Sequence, residues 1–116
     1  MLISVYLYLI KIRASQVNGC SYCINMHARD ARQHGETEQR IYLLNAWHET
    51  NLYTEEERAI LALTEEITEI SKHTGVEAYE KAASLFSETV LAQIIMAIIA
   101  INAWNRIGIT TQMQPD

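Results

Sequence analysis

Two thiols and an imidazole stand close together in this chain, as Cys20, Cys23 and His27. On a helix their spacing is i, i+3 and i+7, which puts all three side chains on one face over two turns. Three chemistries are open to such a group. The first is a redox dithiol, in which the reactive species is a thiolate. A helix N-terminus and a nearby imidazole lower the thiol pKa, and the second thiol resolves an oxidised sulfur into a disulfide, so that the pair cycles. The second is zinc, which needs four ligands in a structural site and three plus water in a catalytic one. Cys20, Cys23 and His27 would wrap a tetrahedron poorly from one helix. There is no second cysteine pair, and His34, His48 and His73 are scattered. The third is plain packing, since a free cysteine behaves as a small hydrophobe beside a core histidine.

The elements that must hold this group all read as helical. Residues 4–17 form an apolar helix that Asn18-Gly19 ends, because both residues tolerate positive φ. Its apolar character is nearly all-round, so it is buried or packed against another subunit. The next helix starts at Cys20 or Ser21, carries the CxxC in its first turn, and runs to Gln33, with His34-Gly35 closing it. Residues 36–47 read as a third helix, with Ile41, Leu44 and His48 on one side, followed by a polar connection over 48–53. Thr54 and Glu57 make a capping box that accounts for the acidic run Glu55 to Glu57 without a metal. The helix they start carries Ile60, Leu63, Ile67 and Ile70 and reads on to Lys72. A shorter helix covers 75–86, and a long one covers 88–107, apolar over most of its circumference and closed by Gly108. Residues 109–116 read as a tail. Trp47 and Trp104 suit cores or interfaces, and His48 and His73 suit solvent.

The expectation is therefore an all-α domain of about six helices spanning residues 1–116 as one unit, with the CxxC at the start of the second helix. The single proline and four glycines favour long helices over a turn-rich β-fold. A chain this short buries a modest fraction of its surface, so association with its own copies would help. Nine basic against 14 acidic residues, a formal charge of −5, exclude a phosphate-binding surface for nucleic acid. The apolar opening lacks a charged leader region and a small-residue cleavage site. The apolar run 90–104, interrupted by Gln93 and Asn102, is too short to span a bilayer. A cytoplasmic protein with no membrane partner and no cofactor is expected, since a CxxC without an export signal is more often catalytic or metal-binding than a structural staple.

The stretch RASQVNGCSYCINMH (residues 13–27) resembles the core motif of the alkylhydroperoxidase D-like proteins of the carboxymuconolactone decarboxylase superfamily. The segments LLNAW (43–47), YTEEERA (53–59) and INAWNR (101–106) resemble further parts of that family in order, so the likeness covers residues 9 to 108. It implies an all-helical fold, with helices that precede this motif in the family missing before residue 1, and assembly into trimers or hexamers. It also implies reduction of organic hydroperoxides by thiols, with an external dithiol or thioredoxin-like partner as reductant. By that resemblance Cys23 is the peroxidatic thiolate, Cys20 the resolving thiol that closes a redox disulfide with it, and His27 a member of the proton relay. Helix-dipole logic alone would make Cys20 the more acidic thiol. The family's relay glutamate, twelve residues before the first cysteine, is Tyr8 here, and Tyr22 fills a CxxC position where some members carry histidine. Tyr8 and Tyr22 are thus the substitutes to test, though a phenol of pKa about 10 is a poor base. Two alternatives follow: a non-catalytic or weakly active helical oligomer that keeps the motif, and a carboxymuconolactone decarboxylase-type enzyme, against which the CxxC counts.

Overall fold

A computed structural model describes residues 3–116, so Met1 and Leu2 of the apolar opening lie outside it. The described residues form six α-helices and two 3-10 segments, with no strand, as the sequence predicts. The helices are α1 (Ser4–Asn18), α2 (Ser21–Gln33), α3 (Glu38–Tyr42), α4 (Glu55–Thr68), α5 (Glu77–Leu85) and α6 (Glu88–Thr110). The 3-10 segments are Leu44–Glu49 and Ile70–Lys72.

The apolar α1 needs no broad solvated face because it is the central helix, packed on α2, α4 and α6. One side of it, Ile10 and Ala14, meets Ile60 and Leu63 of α4 and Ile94, Ile98 and Ile101 of α6. Its other side, Leu9 and Ile12, meets Ala31, Leu44, Trp47 and Leu61. Each of these Leu and Ile side chains contributes about 1.5–3 kcal/mol on burial, as an upper estimate. The capping box of α4 is present, with Thr54 accepting from the Glu57 amide and Glu57 accepting from the Thr54 amide. The Glu57 carboxylate also takes Arg40 at 2.8 Å, and Arg40 reaches Glu36 at the same distance. That ion pair ties α3 to the start of α4.

Three sequence expectations change. The third helix is not continuous: α3 stops at Tyr42 and a 3-10 segment follows, with Ala46 outside helical geometry (φ −127°, ψ 31°). Tertiary bonds replace the missing helix bonds there. The Trp47 indole donates to Glu65, and Arg58 donates to the carbonyls of Trp47 and Thr50. Next, α4 ends at Thr68, not Lys72; the chain tightens into a 3-10 turn and reverses at His73, which is left-handed (φ 50°). Ile70 leaves the apolar stripe and is 63% exposed. Third, Gly108 does not close the last helix, which continues to Thr110. At 23 residues α6 is long and apolar enough, by length and composition, to cross a membrane. About a third of its most apolar stretch is buried, and the buried side carries Asn102 and Asn105 beside Ile98 and Ile101 against the rest of the fold. Trp47 is buried in the core, and Trp104 is 64% exposed on the surface of the chain.

Candidate functional site

The dithiol sits where α1 turns into α2. Asn18 is the last residue of α1, and Gly19 takes the left-handed conformation (φ 74°) that only glycine adopts without cost. The Gly19 and Cys20 amides both donate to the Ser15 carbonyl, closing the helix end. Cys20 is then the N-cap of α2, and its Sγ accepts the Cys23 amide at 3.3 Å. Cys20 and Cys23 are joined as a disulfide with their Cα atoms 5.3 Å apart, and both are buried.

The far end of α6 closes over the sulfurs. A methyl group built on Gly108 would lie 3.0 Å from Cys20 Sγ and 3.4 Å from Cys23 Sγ, so any larger residue here would require the sulfurs to give way. A buried amide network fixes that approach. Asn18 Nδ2 donates to Asn102 and Asn105, Asn105 donates to Ser15 Oγ, and Asn102 donates to Thr68 and to the Ile98 carbonyl. The end of α1 that leads into the turn is therefore pinned to α6.

Cys23, but not Cys20, opens onto a cavity of about 510 Å³. From α1 it is lined by Leu7 and Lys11, and from α2 by Tyr22, Met26 and His27 beside Cys23. From α6 come Ala97, Ala100, Ile101, Trp104 and Gly108, with Met113 beyond the helix end. Burial, reinforced by the Lys11 charge and opposed by Asp30, holds the His27 pKa below its ordinary value of 6.5. The imidazole is neutral at neutral pH and free to accept a proton. No carboxylate lines the cavity.

The structure thus brings Cys20, Cys23, His27 and Tyr22 together and sets Tyr8 apart. Tyr8 packs against the His34 ring, 5.3 Å between centroids, and lines a separate groove with Ala31, Glu36 and Arg40. Leu7 and Lys11, one helical turn apart, take the face of α1 that meets Cys23, and Tyr8 is rotated about 100° from Leu7. His48 stacks on Trp47 and bonds Glu65, and His73 is exposed at its turn. No three potential metal ligands gather among the described residues.

Three contributors escaped the reading of the sequence. Lys11 is the one charge in the first twelve residues. Asn102 and Asn105 interrupt an apolar run at i, i+3 spacing, the mark of a polar stripe that must find partners. Gly108 lies in the same run, and its role depends on a contact with residues far away in sequence.

Residues 5–66 match the carboxymuconolactone decarboxylase family. The chain is 51% identical over 102 residues to the uncharacterized protein YdfG of Bacillus subtilis (strain 168), covering 87% of this chain and 69% of that one. Its fold is similar to that of a protein of unknown function from Agrobacterium tumefaciens, named as a candidate antioxidant defence protein AhpD. The TM-score is 0.96 at 39% identity, over 99% of this chain and 80% of that one. It is also similar to the apo form of the debrominase Bmp8, with a TM-score of 0.86 at 25% identity, over 99% of this chain and 62% of that one.

Proposed function

This chain belongs to the carboxymuconolactone decarboxylase family, and we propose that it is a thiol-dependent peroxidase reducing organic hydroperoxides through Cys23, Cys20 and His27. The observation that carries this reading is the division of the dithiol: Cys23 shares a cavity with a neutral His27, while Cys20 is sealed behind it. His27 takes the Cys23 proton, and the thiolate attacks the outer oxygen of the hydroperoxide. The O–O bond breaks, the alkoxide leaves as alcohol with the proton from His27, and Cys23 becomes a sulfenic acid. Cys20 then attacks the Cys23 sulfur, forming the disulfide and releasing water. An external dithiol or thioredoxin-like protein supplies two electrons and two protons to reopen it.

The N-cap geometry gives Cys20 its own part. The Cys23 amide that Sγ accepts stabilises negative charge on Cys20, which favours it as the resolving thiolate. Tyr22, on the cavity wall, is placed to hydrogen-bond a bound oxygen, and Tyr8 is not. The exposed apolar residues of α6, Met96, Ile99 and Ile107 among them, support a homo-oligomer; the trimer or hexamer and the cytoplasmic setting are proposed from the family resemblance and the CxxC.

Replacing Cys23 by Ser removes peroxide-dependent oxidation of an added dithiol, while Cys20→Ser leaves one turnover that stops at a sulfenic acid trappable with dimedone. Unchanged turnover in Cys23→Ser would rule the mechanism out. The likeness to Bmp8 favours a second reading, in which the same dithiol replaces bromine on an organic bromide by hydrogen, releasing bromide and a proton as the disulfide forms. Bromide release driven by added dithiol separates the two.

A further inference from the structure

We propose that this cavity selects an anionic organic hydroperoxide, whose carboxylate or like group pairs with Lys11 while its apolar body lies along α6. The inference rests on the peroxidase reading for the reaction but on the cavity alone for the charge.

Of the nine Lys and Arg residues, seven are satisfied by the protein. Arg13, Arg29, Arg32, Arg40, Lys72 and Lys81 are in ion pairs. Arg58 donates to two carbonyls and covers the Trp47 ring. Arg106 is exposed. Lys11 is half-buried, forms no ion pair among the described residues, and is the one Lys, Arg, Asp or Glu on the wall of an otherwise mostly apolar cavity. Lys11 shares the cavity wall with Leu7, Met26 and Ile101 and has no ion-pair partner there, so an anion entering the cavity meets a cation it need not take from another group. No wall carboxylate competes for it, and α6 presents no charged group. His27 of α2, whose pKa burial lowers, is neutral at neutral pH and does not compete for the anion, and Asp30 of α2 is not on the cavity wall. The cavity volume falls within the range of small-molecule sites, and the opposite wall, Ile101 and Trp104, is apolar. That arrangement fits an amphipathic molecule with its anionic end toward α1.

The test compares a fatty-acid hydroperoxide with its methyl ester, on the wild-type chain and on Lys11→Met and Lys11→Arg. The wild type prefers the acid. In Lys11→Met the acid-to-ester ratio of kcat/KM falls about 10- to 100-fold, the worth of one charge-assisted contact, chiefly through KM, and Lys11→Arg restores it. Equal losses on both substrates would mean that Lys11 acts on the Cys23 thiolate and would overturn the proposal, as would an unchanged ratio. Calorimetric binding of the unreactive parent acid and its ester to the same proteins keeps the question separate from turnover. Acid binding lost in Lys11→Met supports the charge pairing even if no hydroperoxide is turned over, and acid and ester binding alike to wild type refutes it.

Discussion

Gly108→Ala offers the sharpest check on how the dithiol is packed. In an exposed helix interior, glycine to alanine stabilises by about 0.8–1.0 kcal/mol. Here the new methyl would lie 3.0 Å from Cys20 Sγ and 3.4 Å from Cys23 Sγ. At that distance the closer sulfur must give way by a few tenths of an ångström. Cys20 has little freedom to do so, being 2% exposed, bonded to Cys23 and capping α2. Overpacking of this kind costs about 1–3 kcal/mol, which outweighs the propensity gain and leaves a net loss of about 0–2 kcal/mol. A loss of 1 kcal/mol lowers Tm by roughly 4 °C in a domain of this size. Thermal unfolding of the oxidised protein measures it, and Cys20→Ala provides the second arm. With the sulfur gone, Gly108→Ala should turn stabilising, giving a coupling energy of about 1–3 kcal/mol, the overpacking cost relieved. An alanine variant that is more stable by the full helix increment, in both backgrounds alike, would refute the claim that α6 is shaped by the sulfurs.

Two further expectations concern the supports of the site. Asn105→Ala removes partners from Ser15 and Asn18 at a fully buried position, and should cost about 2–4 kcal/mol in urea unfolding; a change under 0.5 kcal/mol would mean the amide network does not hold the turn. His27 has a folded pKa below its unfolded value of about 6.5, so the unfolded chain binds the extra proton first as pH falls. Stability should therefore decline below about pH 6.5, and His27→Gln should flatten that part of the profile between pH 7 and 5, read from denaturant midpoints.

What the sequence disclosed follows the range of the forces involved. The start of α2 at the CxxC, the Gly19 turn and the Thr54–Glu57 cap are written in neighbouring residues, and all three are found. The break at Ala46 is not local: Glu65 and Arg58 impose it by holding Trp47 and its carbonyl. Tyr8 is separated from the cavity by one step of helical rotation, which a count from the cysteine does not resolve. Gly108 reads as a helix stop because glycine usually is one, and the distant sulfurs account for a glycine inside the last turn of α6 instead. Lys11 looks like the end of an apolar run until the wall opposite it is known to be apolar as well.

The short span of the disulfide carries one last consequence. A bridge across three intervening peptide links removes little freedom from the unfolded chain, about 2 kcal/mol by loop-closure entropy, against about 4.7 for a loop of 100 residues. The two apolar layers either side of α1 do not depend on it. Opening the bridge therefore leaves a folded domain, and the protein can pass repeatedly between its oxidised and reduced forms without crossing the unfolding transition.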